Sequence, residues 1–393
     1  MSGPSRPSRP SQPGSAGAEE ARRRSSVELS TISDPDEAVA RTPRLSMPRG
    51  SRGLVVQTAF PGDVILTTPL IRRAAERLGA PVDVVVIPVA ASVLANNPHI
   101  RDVIVYDKKG KDAGLRPFLA LVQKLRARRY AVAYLAQASP RSALLAFLAR
   151  IPRRIGFRGA KGGWVYTHAV MERGEPHQVE RLLRLADGAQ ERREPEIFPS
   201  AGDKEAVGLL LEGAGIAGAF IALAPGSAWA TKRWPYFPEL ARAIADTERL
   251  PIAIVGGPGD RADARAIRQA VGGTVPIADG TMSLTMLQSG DLVRRAMLLV
   301  SGDTAPVHLA SAVDTPVVEI YGPTVPQFGF AARPVLSRFV EPDPLACRPC
   351  HHHGPAVCPL VHHRCMRDTS ISSVLAEVRN ILHNLRTRAK DRR

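Results

Sequence analysis

From residue 54 onward the chain repeats one unit: a short run of Val, Ile, Leu and Ala, a turn, and then an amphipathic helix. The runs "LVVQTAF", "VDVVVIP", "DVIVYD" and "AVAYLAQ" show little polar alternation, so each strand must be covered on both faces. Strands of that kind belong in a parallel sheet, and the intervening helices "LRPFLALVQKLRARRY" and "RSALLAFLARI" supply the covering layers.

The pattern restarts after the polar stretch "GAQERREPEIFPS". "FIALAPG", "PIAIVGG", "MLLVSGD" and "PVVEIYGPT" read as a second set of buried strands, again separated by helices. The expected fold class is therefore α/β, with two Rossmann-like, doubly wound domains facing a central cleft. The expected boundaries are a disordered Arg/Ser/Pro-rich tail over residues 1–51, a first domain over 52–195, a second over 196–368, and a last segment over 369–393. That last segment is expected to be a helix packing back toward the first domain, followed by a basic tail. With 44% hydrophobic residues in 393, there is enough apolar material for two cores.

The formal net charge of +16 suits an anionic partner: nucleic acid, an acidic membrane face or a phosphorylated substrate. The start "MSGPSRPSRPSQPG" lacks the apolar region of a secretory signal, and no apolar run reaches the roughly 20 residues of a membrane span. The expected location is cytoplasmic, peripheral at the inner face of the cytoplasmic membrane.

Four places carry candidate chemistry. Gly62-Asp63 follows the first strand, where Asp63 can cap the helix or face a ligand. "LAPGSAWATKRWP" places Thr231, Lys232 and Arg233 beyond a strand's carboxyl end, a position that suits a diphosphate, although the P-loop spacing is absent. "VSGDTAPVHLASA" puts Asp303 and Thr304 before a helix whose first amides can meet a phosphate, while Asp303 can accept bonds from sugar hydroxyls. Cys347, Cys350, Cys358 and Cys365 begin with C-x-x-C, which suits structural zinc, reduced thiols or an occasional disulfide, with His351 to His353 as alternative ligands.

In their order, "GDVILTTP", "HQVERLLRLA", "APGSAWATKRWP", "DTAPVHLASAV", "PVVEIYGPT" and "CRPC…CPLVHHRCM" resemble the family 9 glycosyltransferases, the ADP-heptose:lipopolysaccharide heptosyltransferases, over about residues 52–385. The heptosyltransferase II branch is the most similar. The resemblance implies a GT-B architecture and inverting transfer without a required cofactor or catalytic metal ion. ADP-heptose would be the donor substrate, and the lipid A–inner core the acceptor. It further implies that Asp63 is the general base and that Lys232 offsets charge on the ADP leaving group. Asp303 would hold heptose hydroxyls and Thr304 and Ala305 would meet the diphosphate. Gly226 and Ser227 would line the phosphate site, and Gly62, Thr231, Asp260 and His308 complete the donor set, with Asp260 at the ribose. The chain departs from the family at Ala305, where Gly is usual, and at Pro61.

Residues 124–129 and 150–163, both basic, are the expected acceptor contacts. Competing readings are a same-family enzyme using another nucleotide sugar or glycan acceptor, and a basic nucleic-acid-binding protein. The absence of an aromatic stacking platform or a nucleic-acid module weighs against the last, so no nucleic-acid partner is expected.

Overall fold

The computed structural model describes residues 48–172, 174, 177–187 and 193–391. The expected disordered tail falls mainly on residues 1–47, outside the described residues, as does part of the polar stretch before the second set of strands. Residues 47–393 form one unit containing two six-stranded parallel sheets.

The first sheet comprises β1 (Gly53–Val56), β2 (Val82–Val86), β3 (Ile100–Val105), β4 (Val132–Leu135), β5 (Arg153–Phe157) and β6 (His168–Val170), in spatial order β3-β2-β1-β4-β5-β6. The second comprises β7 (Ile221–Ala224), β8 (Ile252–Ile254), β9 (Ile277–Asp279), β10 (Leu299–Gly302), β11 (Val317–Ile320) and β12 (Arg338–Val340), in order β12-β11-β10-β7-β8-β9. Counted from its own first strand, each half has the doubly wound order 3-2-1-4-5-6. In such sheets ligands lie beyond the carboxyl ends where the order reverses, here β1/β4 and β7/β10. The expectation of two Rossmann-like domains is borne out.

In the first half the helices are α1 (Pro61–Leu78), α2 (Pro88–Ala91), α3 (Leu115–Ala127), α4 (Pro140–Leu148) and α5 (Gln178–Leu183). The second half adds α6 (Ala201–Gly213), α7 (Phe237–Thr247), α8 (Arg261–Val271), α9 (Met286–Arg295), α10 (Ala305–Ala312), α11 (Arg364–Arg367) and α12 (Ile371–Asp391).

Helix α1 shows how local chemistry serves the site. Pro61 occupies its first turn, where a missing N–H costs nothing, and Gly79 ends it in the left-handed region at φ 62°. Pro69 lies inside the helix and cannot donate to the Ile65 carbonyl. The buried Thr68 hydroxyl takes that place at 2.7 Å, so the proline is accommodated.

The two halves meet along α1 and α10. Leu66 of α1 and Val179 and Leu183 of α5 form an apolar cluster that receives Phe330 from the second half. Beside it the Gln178 amide donates to the Gly329 carbonyl at 2.8 Å, and buried Arg333 pairs with Glu180 at 2.8 Å and with Glu194.

The last helix differs from expectation. Val374, Val378, Ile381 and Leu382 of α12 lie in the second core, and the helix packs on α7, β11 and β12 rather than back toward the first domain. Its apolar stripe matches the face of the second sheet that α7 and α8 leave partly open.

Asp83 of β2 is fully buried and binds Arg101 and Arg128, each at 2.8 Å, and the Tyr130 hydroxyl. Burial acts to raise its pKa, but the bonds from Arg101, Tyr130 and Arg128 outweigh it and hold the carboxyl below its ordinary value. Asp83→Ala leaves Arg101 and the buried Tyr130 phenol without this acceptor while Arg128 keeps Asp102, and should cost about 1–3 kcal/mol in urea unfolding, as for a buried polar group left unsatisfied.

Candidate functional site

A cavity of about 1160 Å³ opens at the carboxyl edge of the first sheet. Residues 57–60, 87–89, 107–109 and 136–138 line it, each group beginning within two residues of the end of β1, β2, β3 or β4. The opposite wall comes from Gln327, Phe328 and Phe330 and from His352 and His353 of the second half.

Asp63 stands in this wall at the third position of α1. Its Oδ2 accepts the Phe60 amide at 3.2 Å, so the residue does cap its helix. Burial pushes its pKa up to about 6, partly opposed by bonds to the Phe60 and Asp63 amides and by the charge of Arg181. A carboxyl with that value is ionised at neutral pH yet retains usable basicity.

Among the described residues, the Lys and Arg that line the cavity are Lys108, Lys109 and Arg181. Lys108 Nζ donates to the Thr58 carbonyl at 2.6 Å, in the loop between β1 and α1, and burial lowers its pKa, with help from Lys109 and Arg141. Arg181 lies 4.0 Å over the Phe157 ring and binds Glu172 at 2.9 Å. None of these three was singled out from sequence. Lys108 and Lys109 follow a strand end in "DVIVYDKKG", and that position was the available signal. Residues 124–129 and 150–163, expected at the acceptor, do not line the cavity. Arg128 is committed to Asp83 and Asp102.

Across the helix crossing lie the second-half residues. Lys232 is buried and its Nζ binds Asp303 Oδ2 at 2.6 Å and the Asp303 carbonyl at 3.1 Å, while the Thr324 hydroxyl donates to the same Oδ2 at 2.8 Å. The pair is internally neutral, so an incoming phosphate must share Lys232 with Asp303. Thr304 precedes α10, and fewer amides are free there than expected: Pro306 has no N–H, and the Val307 amide donates to the Thr304 carbonyl at 3.0 Å.

Gly226, Ser227 and Asp260 form a separate group beyond β7 and β8. Asp260 accepts from Arg233 at Oδ1, at 3.1 Å, and from the Gly257 amide at Oδ2, at 2.9 Å. A side chain on Gly226 would collide with that carboxylate, since its Cβ would lie 2.2 Å away. Arg233 Nε also donates to the Ser227 carbonyl at 3.1 Å. Asp260 thus braces the loop that carries Ser227.

Gly62 and His308 have a packing role. A Cβ on Gly62 would stand 2.6 Å from His308 Cδ2 and 3.8 Å from Ala305 Cα, which is where α1 and α10 touch. His308 is buried with an unpartnered Nδ1. Burial lowers its pKa to about 4, so it is neutral at physiological pH.

The cysteine-rich segment approaches the cleft more closely than its sequence position suggested. His363 Nε2 donates to the Thr231 carbonyl at 2.8 Å, the Thr231 hydroxyl binds the Pro355 carbonyl, and Gly354, at φ 79°, lies against Lys232. The His353 ring stands 6.3 Å from that of Phe60, and His352 stacks 4.5 Å from Phe328. The four thiols are unbridged, with Cys350 donating to the Cys347 carbonyl at 2.9 Å. Among the described residues, no group of three or more His, Cys, Asp or Glu side chains is placed to hold a metal ion.

The sequence model of glycosyltransferase family 9 (heptosyltransferase) matches residues 118–353. The chain is 26% identical over 295 residues to lipopolysaccharide heptosyltransferase 2 of Salmonella typhimurium, covering 70% of this chain and 84% of that protein. It is 29% identical over 317 residues to lipopolysaccharide heptosyltransferase 1 of Pseudomonas aeruginosa, covering 76% and 86%. Among solved structures, ADP-heptose lps heptosyltransferase II of E. coli matches with a TM-score of 0.68 at 22% identity, over 85% of this chain and 99% of that one. The structural likeness concerns the fold, which is GT-B.

Gly62→Ala tests whether that glycine serves packing or a ligand. With His308 buried and unable to withdraw freely, the added methyl should cost about 1–3 kcal/mol in denaturant unfolding. A variant as stable as the parent would remove the packing role.

Proposed function

We propose, from the premise that this chain belongs to glycosyltransferase family 9, that it transfers L-glycero-D-manno-heptose from ADP-heptose to the inner core of lipopolysaccharide, adding the second heptose. What carries the reading is Asp63: a carboxylate with a pKa near 6 in the wall of a large cavity, beside the contact that brings in the Asp303-to-Ala305 turn. Support also comes from the relatives' names and from the cations around the cavity, which suit an anionic acceptor.

In this mechanism the acceptor hydroxyl oxygen attacks the anomeric carbon of the donor as Asp63 removes its proton. The bond from that carbon to the β-phosphate oxygen breaks, its electron pair leaves with ADP, and the configuration inverts. Lys232 offsets the charge gathering on the diphosphate, drawing away from Asp303 as the phosphate enters. Asp303 then has an oxygen to offer the sugar hydroxyls, while Thr304, Ala305, Gly226, Ser227 and Thr231 border the donor. The enzyme works as a peripheral protein at an acidic membrane face.

Magnitudes separate the two roles of Asp63. A lost cap costs about 1 kcal/mol, whereas loss of a general base slows the reaction about 10²–10⁴-fold. Asp63→Asn should therefore transfer heptose at least about a hundredfold more slowly. Its folded pKa lies above the ordinary carboxylate value, so the fold disfavours the charged form and the neutral amide relieves that cost at neutral pH. The variant should stay folded and bind ADP, and a folded variant that still turns over rules the base out.

For the parent enzyme, kcat/KM should fall with acidity below pH about 6, because the base must be ionised. A profile flat down to pH 5 would contradict the assignment. The substrate reading is tested with ADP-heptose and two acceptors, one bearing the first heptose and one lacking it. Product from the heptosylated acceptor alone supports addition of the second heptose, and product from the other alone assigns the first. ADP-heptose left intact while a UDP- or GDP-sugar is consumed would replace the donor.

A further inference from the structure

The acceptor cavity accounts for only part of the first half's positive charge. Residues 113–171 contain eleven Lys and Arg and no Asp or Glu. Within that stretch, Arg141, Leu144, Phe147 and Arg150 are exposed at intervals of three along α4 and its end, forming one stripe. Leu144 is 37% and Phe147 43% exposed.

The turn after β5 extends the stripe. Gly162 is seated against α4, where a Cβ would lie 2.4 Å from Ala143 Cβ and 3.1 Å from Pro140 Cα. That close packing presents Trp164, 77% exposed, with its ring 6.0 Å from that of Phe147. Arg154 lies 5.5 Å over the Phe147 ring, and Phe147, Leu148, Arg150 and Arg154 line a shallow hollow. Arg158 and Lys161 are exposed in the same turn.

We propose that this face, made by α4 and the turn after β5, docks the protein on an anionic lipid bilayer. An exposed tryptophan with a phenylalanine and a leucine suits the depth of lipid headgroups, where aromatic rings meet both acyl chains and water. The surrounding Lys and Arg suit negatively charged headgroups, and the stretch supplies no carboxylate to neutralise them. No helix among the described residues is long and apolar enough to cross a membrane, so the contact is peripheral.

The surface is also well placed. Helix α4 begins immediately after residues 136–138 of the cavity wall, and Arg141 donates to the carbonyl of Lys108, another wall residue, at 3.4 Å. Docking would bring the mouth of the cavity within about one nine-residue helix length, roughly 13 Å, of the lipid. The inference rests on the transferase reading for its purpose, a membrane-borne acceptor; the binding itself is measured without any transfer.

The test sediments the full chain with vesicles of phosphatidylcholine alone and of phosphatidylcholine with an equal part of phosphatidylglycerol, over a range of salt. The parent should partition onto the anionic vesicles and stay in solution with the neutral ones. Phe147→Ser/Trp164→Ser, with unchanged circular dichroism, should partition at least about tenfold more weakly. Each of Arg150→Gln and Lys161→Gln should lose about fivefold at low salt.

The double variant should transfer to a water-soluble acceptor as the parent does. A parent that ignores anionic vesicles, or a double variant that binds them like the parent, overturns the proposal. So does equal binding of the parent and the double variant to both RNA and vesicles, which would mark a general polyanion surface. Failure to release ADP from ADP-heptose would count against the transferase reading alone, leaving the vesicle result standing.

Discussion

The contact of α1 with α10 depends on Gly62 having no side chain. Only a hydrogen fits between the backbone of α1 and the buried ring of His308, and this places Asp63, the next residue, beside the turn that leads from β10 into α10. Phe330 inserted among Leu66, Val179 and Leu183, together with Arg333 bound to Glu180 and Glu194, holds the same junction along its length. The proposed base in the first half and the proposed donor site in the second need this register, because general base chemistry requires hydrogen-bond distance to the reacting hydroxyl.

Burial does opposite things to the titratable groups around this crossing, and together they define the chemistry. It raises Asp63 into the range of a useful base and drives His308 down to a neutral ring that packs and carries no charge. Lys232 and Asp303 avoid the cost of isolated buried charge by binding one another. Capping leaves room for the proposed catalytic role of Asp63, since the helix engages Oδ2 and the carboxylate still borders the cavity.

Much of the fold was legible because its signal is local. Unbroken apolar runs such as "VDVVVIP" state burial on both faces, and Pro61 and Gly79 bracket α1 in the positions helix ends favour. The candidate site was legible in part: Asp63, Lys232, Asp303 and Ala305 do gather near the crossing. Asp260 read as a ribose contact, yet Arg233 and the Gly257 amide occupy its oxygens, partners that no spacing rule names. Arg181 and Lys108 were overlooked since each resembles any surface cation until the chain brings it to the cavity. The histidines of the cysteine-rich segment read only as possible metal ligands, and the return of that segment over Thr231 and Lys232 is what brings His352 and His353 into the wall.

What the sequence determined by itself is the pair of parallel sheets and the strand ends at which chemistry can sit, because burial on both faces and turn chemistry act over a few residues. The tertiary structure alone decided which of those ends share a cleft, that Gly62 and His308 serve packing, and that α12 stays with the second sheet. Those outcomes come from contacts between residues far apart in the chain, where shape and charge must match across a gap that no local pattern records.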